Sequence, residues 1–579
     1  MAISSSTQSP QRQRWLIWAV LPFAIFVSGL FKVRDLDVWW RVRTGDWIWS
    51  HRSIPDIDPF SHTADGAWNC VEPAGNLFLF AFHALFGQVG LSWAGATLAL
   101  ALALCAIALA RFVTQENTRL GAIFVAVGLF VSVANFRFGP KPEMFSLCGV
   151  ALLLLLLHYV EQTRRWKLLF LAPGLVLLWA WLHRGSTVSI PIVGAASLAW
   201  ALGRDTRKLA LLAIVALLLS LVALLLSPGM AEGVSSAASV VSNSAYTKNI
   251  GEWQPLTWTA VTSTMPLLIP MVVLWVLVAP VQRRIHFGTF VVLGLGFMAF
   301  RHVRFAPLWA LAMMPEIAWG LSRVLHNYRE RIDSSVRPRV FLSLLVAAGL
   351  AAIALPYLNR PVSTWGPGVT DFRRPAAAAT FLAANPPPGR MFNTFNYGSY
   401  LLYSLGPAQK VFIDGRNDQL YNPEFFSQAA VTPGNNHVLE QLVTQYDVSY
   451  AVLQCTKIVN RSYLWLYHHP QWQLVYLDDN TAVLVKRTSE SELYLERHGY
   501  QELNPSTALP RLLAPQNDPD YEKLAEEVLR NLTESPNSLR AHYLAAKVHR
   551  NAGNNRAYEA ELEMLRQIAI DRNISFELP

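Results

Sequence analysis

The residues best placed to do chemistry lie between Arg34 and Pro73, just after a first apolar run. Asp35 and Asp37 stand outside that run, Trp39, Trp40, Trp47 and Trp49 follow, and Glu72 precedes the next apolar segment. A carboxylate held there can act as a general base. A plainer reading also exists, because Asp and Trp are ordinary residents of a water–lipid boundary. The acids are joined by charged groups in other loops: Arg137, Lys141 and Glu143 in RFGPKPE, His183 and Arg184 in WLHRG, Lys248, Glu252 and Trp253 in KNIGEWQP, and Arg301, His302 and Arg304 in FRHVRF. Several sit at or within the ends of apolar runs, where an exposed charge is expensive, so they are expected to face one another or a water-filled cavity. Acids and bases converging on one face make the pattern of a site. Taken singly, Arg137 and Lys141 also suit a hairpin end, and His183 suits a hydrogen-bonded span end. Glu316, inside an apolar run, fits a proton relay or a paired structural group.

Composition says what must position these residues. The chain has 579 residues, 53% hydrophobic and only 15% charged, with 20 Trp and a positive mean hydropathy. That is too apolar for a soluble protein of this size and implies a multispanning membrane protein. Its net charge of +9 does not point to nucleic acid, because the Lys and Arg lie in short loops between apolar runs. Cys70, Cys105, Cys148 and Cys455 are too widely spaced for a metal motif, and a Cys70–Cys455 disulfide is open if both lie outside.

Residues 1–14 form a polar, basic tail before an apolar run at 15–31 that lacks a small-residue cleavage site, so it reads as a retained span with a cytoplasmic amino terminus. Residues 74–88 are too short to cross and fit an interfacial helix. Apolar runs follow near 89–110, 120–136, 144–160, 166–182, 185–203, 209–227, 258–281, 285–300, 303–322 and 340–358, making eleven spans with the first. On this count the inner loops carry Arg111, Arg119, Arg164, Arg165, Lys167, Arg204, Arg207, Lys208, Arg283, Arg284, Arg323, Arg329, Arg331, Arg337 and Arg339, almost without acid. That is the positive-inside bias, and it puts the carboxyl-terminal third outside.

From 361 the composition becomes that of a soluble domain. NPPPG, MFNTF, SYLLYSL, KVFIDGRND, HVLEQLVTQY, VSYAVLQC, WQLVYLD and TAVLVKR read as strand, helix, strand, helix, strand and hairpin, a small α/β domain over 361–490 with a mainly parallel sheet. Asp414 and Arg416 then follow a KVFI strand at its carboxyl end, where open sheets place ligand-contacting groups, although Asp414-Gly415 also suits a simple turn. No phosphate-binding glycine loop occurs. The remainder, 491–579, reads as a helical tail whose SPNSLRAHYLAAKVHRNAGNNRAYEAELEMLRQI resembles one tetratricopeptide unit. It either packs on the α/β domain or recruits a protein partner.

An acidic pair in the first outer loop, about eleven spans and an extracytoplasmic carboxyl-terminal domain resemble the GT-C superfamily of integral-membrane glycosyltransferases, which includes protein O-mannosyltransferases, oligosaccharyltransferases and aminoarabinose transferases. DVWWRVRTGDWIWSHRSIPDIDPFS, WLHRG, GEWQP and FNYGSYLLYSLGPAQKVFIDGR are similar to a bacterial branch of such proteins. The resemblance covers roughly 15–490. Arg41 stands where that branch commonly has His, and Glu72-Pro73-Ala74 where it commonly has Glu-Trp-Leu. The resemblance implies inverting transfer of a sugar from a polyprenyl-phosphate donor to an acceptor lipid, glycan or protein, at the outer face of a bacterial cytoplasmic membrane. It implies that Asp37 takes the acceptor proton and that Arg137, Lys141, Arg301 and Arg304 receive the lipid phosphate. Asp35, Glu72, His183 and Glu252 are then expected to orient the acceptor or to hold a divalent cation, Mg or Mn, if one is used. The same topology would also suit a non-catalytic envelope scaffold or a lipid-linked saccharide transporter, although the repeat symmetry of a transporter is missing from the sequence.

Overall fold

A computed structural model describes residues 10–572 except 65, 115–118, 204–205, 230–250, 280–285, 332–336, 359, 361–363 and 371–373. Arg204, Arg283, Arg284 and Lys248, counted above among loop charges, lie outside the described residues. The chain forms two compact units: Met1–Val33, Asn69–Arg360 and Trp365–Val369 make the first, and Arg34–Trp68, Pro361–Thr364 and Thr370–Pro579 the second.

The first unit is helical: α1 (Pro10–Ser28), then, after α2 (Val38–His51) of the second unit, α3 (Pro73–Val113), α4 (Arg119–Ala134), α5 (Glu143–Thr163), α6 (Leu171–Leu182), α7 (Ser189–Leu202), α8 (Arg207–Leu225), α9 (Trp258–Thr264), α10 (Leu268–Val278), α11 (Phe287–Arg301), α12 (Ala306–Arg331) and α13 (Arg337–Ala354). Leu- and Ala-rich sequence without a polar face gives helices that are buried or in lipid. Among the described residues, five stretches are long and apolar enough to cross a membrane, and six if the pair α9 and α10, bent by 100°, counts as one. The apolar stretches Trp18–Ser28, Trp166–Leu182, Phe287–Arg301 and Leu342–Tyr357 are shorter.

Packing separates these helices into kinds. The α4 stretch is 83% buried and the α8 stretch only 39%, with Leu211, Leu218 and Leu221 exposed. A leucine face of that size is unstable in water and ordinary in a bilayer. Gly128 of α4 and Gly349 of α13 let the two backbones touch, since a methyl at either would collide with the other helix. Within α3, Gly87 adopts φ 61° and ψ −149°, a conformation suited to glycine, and it divides the helix where 74–88 and 89–110 were expected to part.

The second unit contains α2, α14 (Ala376–Ala384), α15 (Phe395–Leu405), α16 (Pro423–Val431), α17 (Asn436–Gln445), α18 (Leu464–His468), α19 (Glu492–His498), α20 (Ala508–Leu513), α21 (Tyr521–Glu534), α22 (Leu539–Asn551) and α23 (Asn555–Arg572). They surround a sheet of β1 (Arg390–Asn393), β2 (Val448–Gln454), β3 (Trp472–Leu477) and β4 (Thr481–Lys486) in the order β1-β2-β4-β3. Only β1 and β2 pair in parallel; β2–β4 and β3–β4 are antiparallel. The expectation of a mainly parallel sheet is thereby corrected. KVFI fails to join because other groups take its backbone. Asn393 accepts from the Phe412 amide and donates to the Ile413 carbonyl, both at 2.7 Å, while Val411 pairs with Ser61.

The carboxyl-terminal helices are fastened to this sheet domain. The Glu527 carboxylate accepts the amides of Gln501, Glu502 and Leu503, each at 2.7 Å. Asp479 accepts the first amides of α22, Leu539 and Arg540, and the buried Arg540 guanidinium donates to the carbonyls of Cys455 (2.6 Å) and Lys457 (2.8 Å). Of the two expectations for the tail, packing on the α/β domain is the one observed. No disulfide forms among the described residues; the sulfur of Cys455 instead meets Arg540 Nη1 at 2.7 Å.

Candidate active site

The charged residues singled out by sequence fall into both units. In the second unit Asp37 immediately precedes α2, yet its side chain makes no helix-capping bond. Asp35 Oδ1 accepts the Asp37 amide at 3.2 Å and so fixes the local turn. Asp37 Oδ1 accepts from Ser399 Oγ at 3.4 Å, and that hydroxyl accepts the Gly415 amide at 3.2 Å. A methyl group at Gly415 would overlap the Asp37 carboxylate, so glycine there is needed for the acid to lie where it does. Trp39 and Trp40 are buried. The Trp39 ring meets Tyr400 edge-on at 5.1 Å, and the Arg374 guanidinium lies over both rings. The Trp39 indole ties α2 to α15, which is a different task from anchoring at a lipid boundary. Arg41 lies over the Trp40 ring at 4.3 Å.

Asp414 and Arg416 are brought together and closed off. Arg416 Nη1 and Nη2 donate to Asp58 at 2.5 and 3.2 Å, Nε and Nη2 donate to Asp414 at 2.9 and 2.7 Å, and Tyr421 donates to Asp414 at 2.8 Å. Asp414 and Arg416 are fully buried. Burial works against the Arg416 charge, but Asp414 and Asp58 outweigh it and hold the guanidinium well above its ordinary value. Burial, then the Asp414 charge, raises Tyr421, keeping its hydroxyl a donor. The donors of Arg416 are engaged inside this knot, which joins the first loop to the segment after KVFI. Asp58 was missed in the sequence. Its signal was Asp-Pro in the IPDIDPFS motif.

In the first unit the groups lie where helix ends meet. Glu72 sits at φ 69° directly before α3, whose first residue is Pro73, a favoured place for proline. Only 1% of Glu72 is exposed. Its Oε1 lies 3.4 Å from His183 Nε2 and accepts the Arg184 amide at 3.3 Å. His183 Nδ1 accepts the Gly185 amide at 3.2 Å and lies 2.5 Å from Ser146 Oγ, which accepts from Trp179 Nε1 at 2.9 Å. The tautomer this assigns places the imidazole proton on Nε2, toward Glu72. Trp179, Ser146, His183 and Glu72 thus form one chain of donors ending in a carboxylate.

Beside it, Arg137 pairs with Glu252 and lies 3.4 Å from Glu143. Glu143 and Ser146 sit one turn apart on α5, so both groups share a helix face. Arg304 lies over the Trp253 ring at 4.3 Å. Burial opposes the Glu252 charge, but Arg137 prevails and holds this carboxyl below its ordinary value, with Lys141 acting in the same sense. Arg301 is the exposed last residue of α11, its guanidinium over the Phe297 ring at 5.7 Å. Ser146 and Trp179 were missed by sequence reasoning. The spacing from Glu143 offered the signal for Ser146, and nothing comparable marked Trp179.

Apolar helices of spanning length, with acids and bases gathered at their ends, define a polytopic α-helical membrane protein, and its fold is one shared with solved oligosaccharyltransferase structures. The chain is similar to the oligosaccharyltransferase of Archaeoglobus fulgidus tethered with an acceptor peptide, at a TM-score of 0.54 and 14% identity, covering 83% of this chain and 75% of that one. It is also similar to the oligosaccharyltransferase AglB of that organism in complex with an inhibitory peptide and a dolichol-phosphate, at a TM-score of 0.53 and 14% identity over 77% and 70% of the two chains. ArnT from Cupriavidus metallidurans bound to undecaprenyl phosphate aligns over 83% of this chain and 99% of that one, at 14% identity and a TM-score of 0.46. No protein-family model matches the chain, and no curated protein matches its sequence.

Proposed function

We propose that this protein transfers a sugar from a polyprenyl-phosphate donor to an acceptor at the outer face of a bacterial cytoplasmic membrane, through eleven spans and with its second unit outside. The observation that carries the reading is the gathering of Arg137, Lys141 and Arg304 around Glu143 and Glu252 at the ends of apolar helices. Cations concentrated at a membrane edge suit a lipid phosphate, whose charge grows as the sugar departs. Asp37 is the base that takes the proton of the acceptor hydroxyl as its oxygen attacks the anomeric carbon, with inversion there. The carbon–oxygen bond to the phosphate breaks and the lipid phosphate leaves. Asp35, Glu72, His183 and Glu252 orient the acceptor, with the chain from Trp179 to Glu72 fixing the imidazole. A magnesium- or manganese-class cation, where one is used, would take its hard oxygens from the acids expected to hold it, Asp35, Glu72 and Glu252, which leaves Asp37 free as the base.

The fold in common with AglB, whose structure holds a dolichol-phosphate, supports the donor class. The test is a membrane assay with a panel of polyprenyl-phosphate sugars. One donor should be consumed by the wild type and spared by the Asp37→Asn form at equal membrane abundance. A chain that consumes no donor, or an Asp37→Asn form that turns over normally, would end the proposal.

A further inference from the structure

A second cluster of ionisable groups lies elsewhere in the first unit. His158 and Glu161 are on the last turns of α5, His286 immediately precedes α11, and Glu316 is in α12. His158 is separated from Glu143 by about 22 Å of helix at 1.5 Å per residue, so this cluster is distinct from the site above. One ligand atom from each of His158, His286 and Glu316 falls within 4.8 Å of the other two.

The hydrogen bonds dictate what these atoms can do. His286 Nε2 lies 2.7 Å from Glu161 Oε2, and Trp200 Nε1 donates to the other Glu161 oxygen at 2.9 Å. The 2.7 Å contact with Glu161 Oε2 puts a ring proton on Nε2, and the Gly288 amide approaches Nδ1 at 3.1 Å. Nδ1 also lies 3.2 Å from Glu316 Oε1, so a cation between these two atoms would take the lone pair that the Gly288 amide shares. His158 Nε2 is buried and has no hydrogen-bond partner among the described residues, although its ring stacks on His286 at 5.0 Å. Gly288 keeps the space open, because a methyl there would collide with Glu316 Oε1.

We infer that His158, His286 and Glu316 bind one divalent transition-metal ion of the zinc class. The nearest pair, Nδ1 and Oε1 at 3.2 Å, has the separation of two ligands on one such ion with bonds of about 2.0–2.1 Å. Two imidazole nitrogens and one carboxylate oxygen select zinc-class ions over magnesium or calcium, which prefer oxygen throughout. Glu161 is the outer carboxylate that receives the remaining N–H of a metal-bound imidazole and sets its orientation. The ion would join α5, the start of α11 and α12, helices distant in sequence. It takes no part in the transfer proposed above.

The test needs no activity. Tag-free wild-type protein in detergent, stripped of metal, is titrated with Co2+, and metal content after zinc loading is measured by mass spectrometry. Visible cobalt bands saturating near one equivalent and displaced by Zn2+ are expected. His158→Gln and Glu316→Gln should abolish them, while Glu161→Gln should weaken binding about 10- to 100-fold at unchanged stoichiometry. No cobalt bands in the wild type would mean a buried imidazolium bridging two carboxylates, and the same bands in His158→Gln would place the ion elsewhere; either result overturns the inference. Should the variants fail to insert, X-ray absorption of the zinc-loaded wild type decides. A shell containing two imidazoles supports the site, and a shell of oxygen or sulfur alone overturns it.

Discussion

Two charged clusters in this molecule look alike in sequence and differ in kind. Around Arg416, two carboxylates and a tyrosine close on one guanidinium, and both Asp414 and Arg416 are fully buried. Around Arg137 the balance runs the other way: Lys141 and Arg304 join it against Glu143 and Glu252, and the Glu252 side chain keeps 40% of its surface. A cluster that is neutralised and sealed holds the fold. One that is cation-rich and partly open has charge to offer a ligand. Acid and base at the end of an element are therefore insufficient to mark a site; closure and charge balance separate the two cases.

That comparison can be broken by substitution. The largest expected effect is on turnover in Asp37→Asn, a loss of about 10²- to 10⁴-fold with normal membrane insertion, measured as donor consumption per mole of protein. Asp58→Asn should act oppositely, leaving Arg416 half-paired in the interior and destabilising the second unit by about 3–5 kcal/mol. Thermal unfolding followed by tryptophan fluorescence reads this out, since Trp68 lies beneath the Arg416 guanidinium at 4.7 Å. Arg137→Gln should lower turnover by about 10²- to 10³-fold with little change in melting, and a melting loss as large as that of Asp58→Asn would show that the two clusters share one role.

The smallest effect concerns pH. Arg137 depresses the carboxyl of Glu252 in the folded state below its ordinary 4.5. Its contribution to stability is thus present above that value and lost as pH falls through the lower, folded one. Because the side chain is part-exposed, the loss should stay below about 1 kcal/mol. Glu252→Gln should abolish that pH-dependent part of the melting curve, and an unchanged acid limb would count against the pairing.

The helices were legible because their cause is local. Leucine-rich runs report themselves, the division of α3 at Gly87 coincides with the change from aromatic-rich to uniformly apolar sequence, and the segments WQLVYLD and TAVLVKR marked the β3–β4 hairpin. What escaped depends on partners far along the chain. KVFI has the composition of a strand, but Asn393 and the Phe60–Thr63 loop claim its backbone. Trp39 reads equally well as an interfacial anchor, and only Tyr400 and Arg374 reveal its burial. Asp414 and Arg416 matched a general rule about sheet ends, whereas the carboxylate that decides their role, Asp58, precedes Arg416 by 358 positions.

That separation bears on how the protein is made. At roughly 5–20 residues per second, a ribosome needs roughly 20–70 s to travel from Asp58 to Arg416. The early loop must wait through that interval, already threaded past the first helix, for the segment that will clasp it. A message cut short before codon 399 would yield a chain able to insert its helices yet lacking the serine and glycine that seat Asp37. Such a fragment would reach the bilayer with its acid unset.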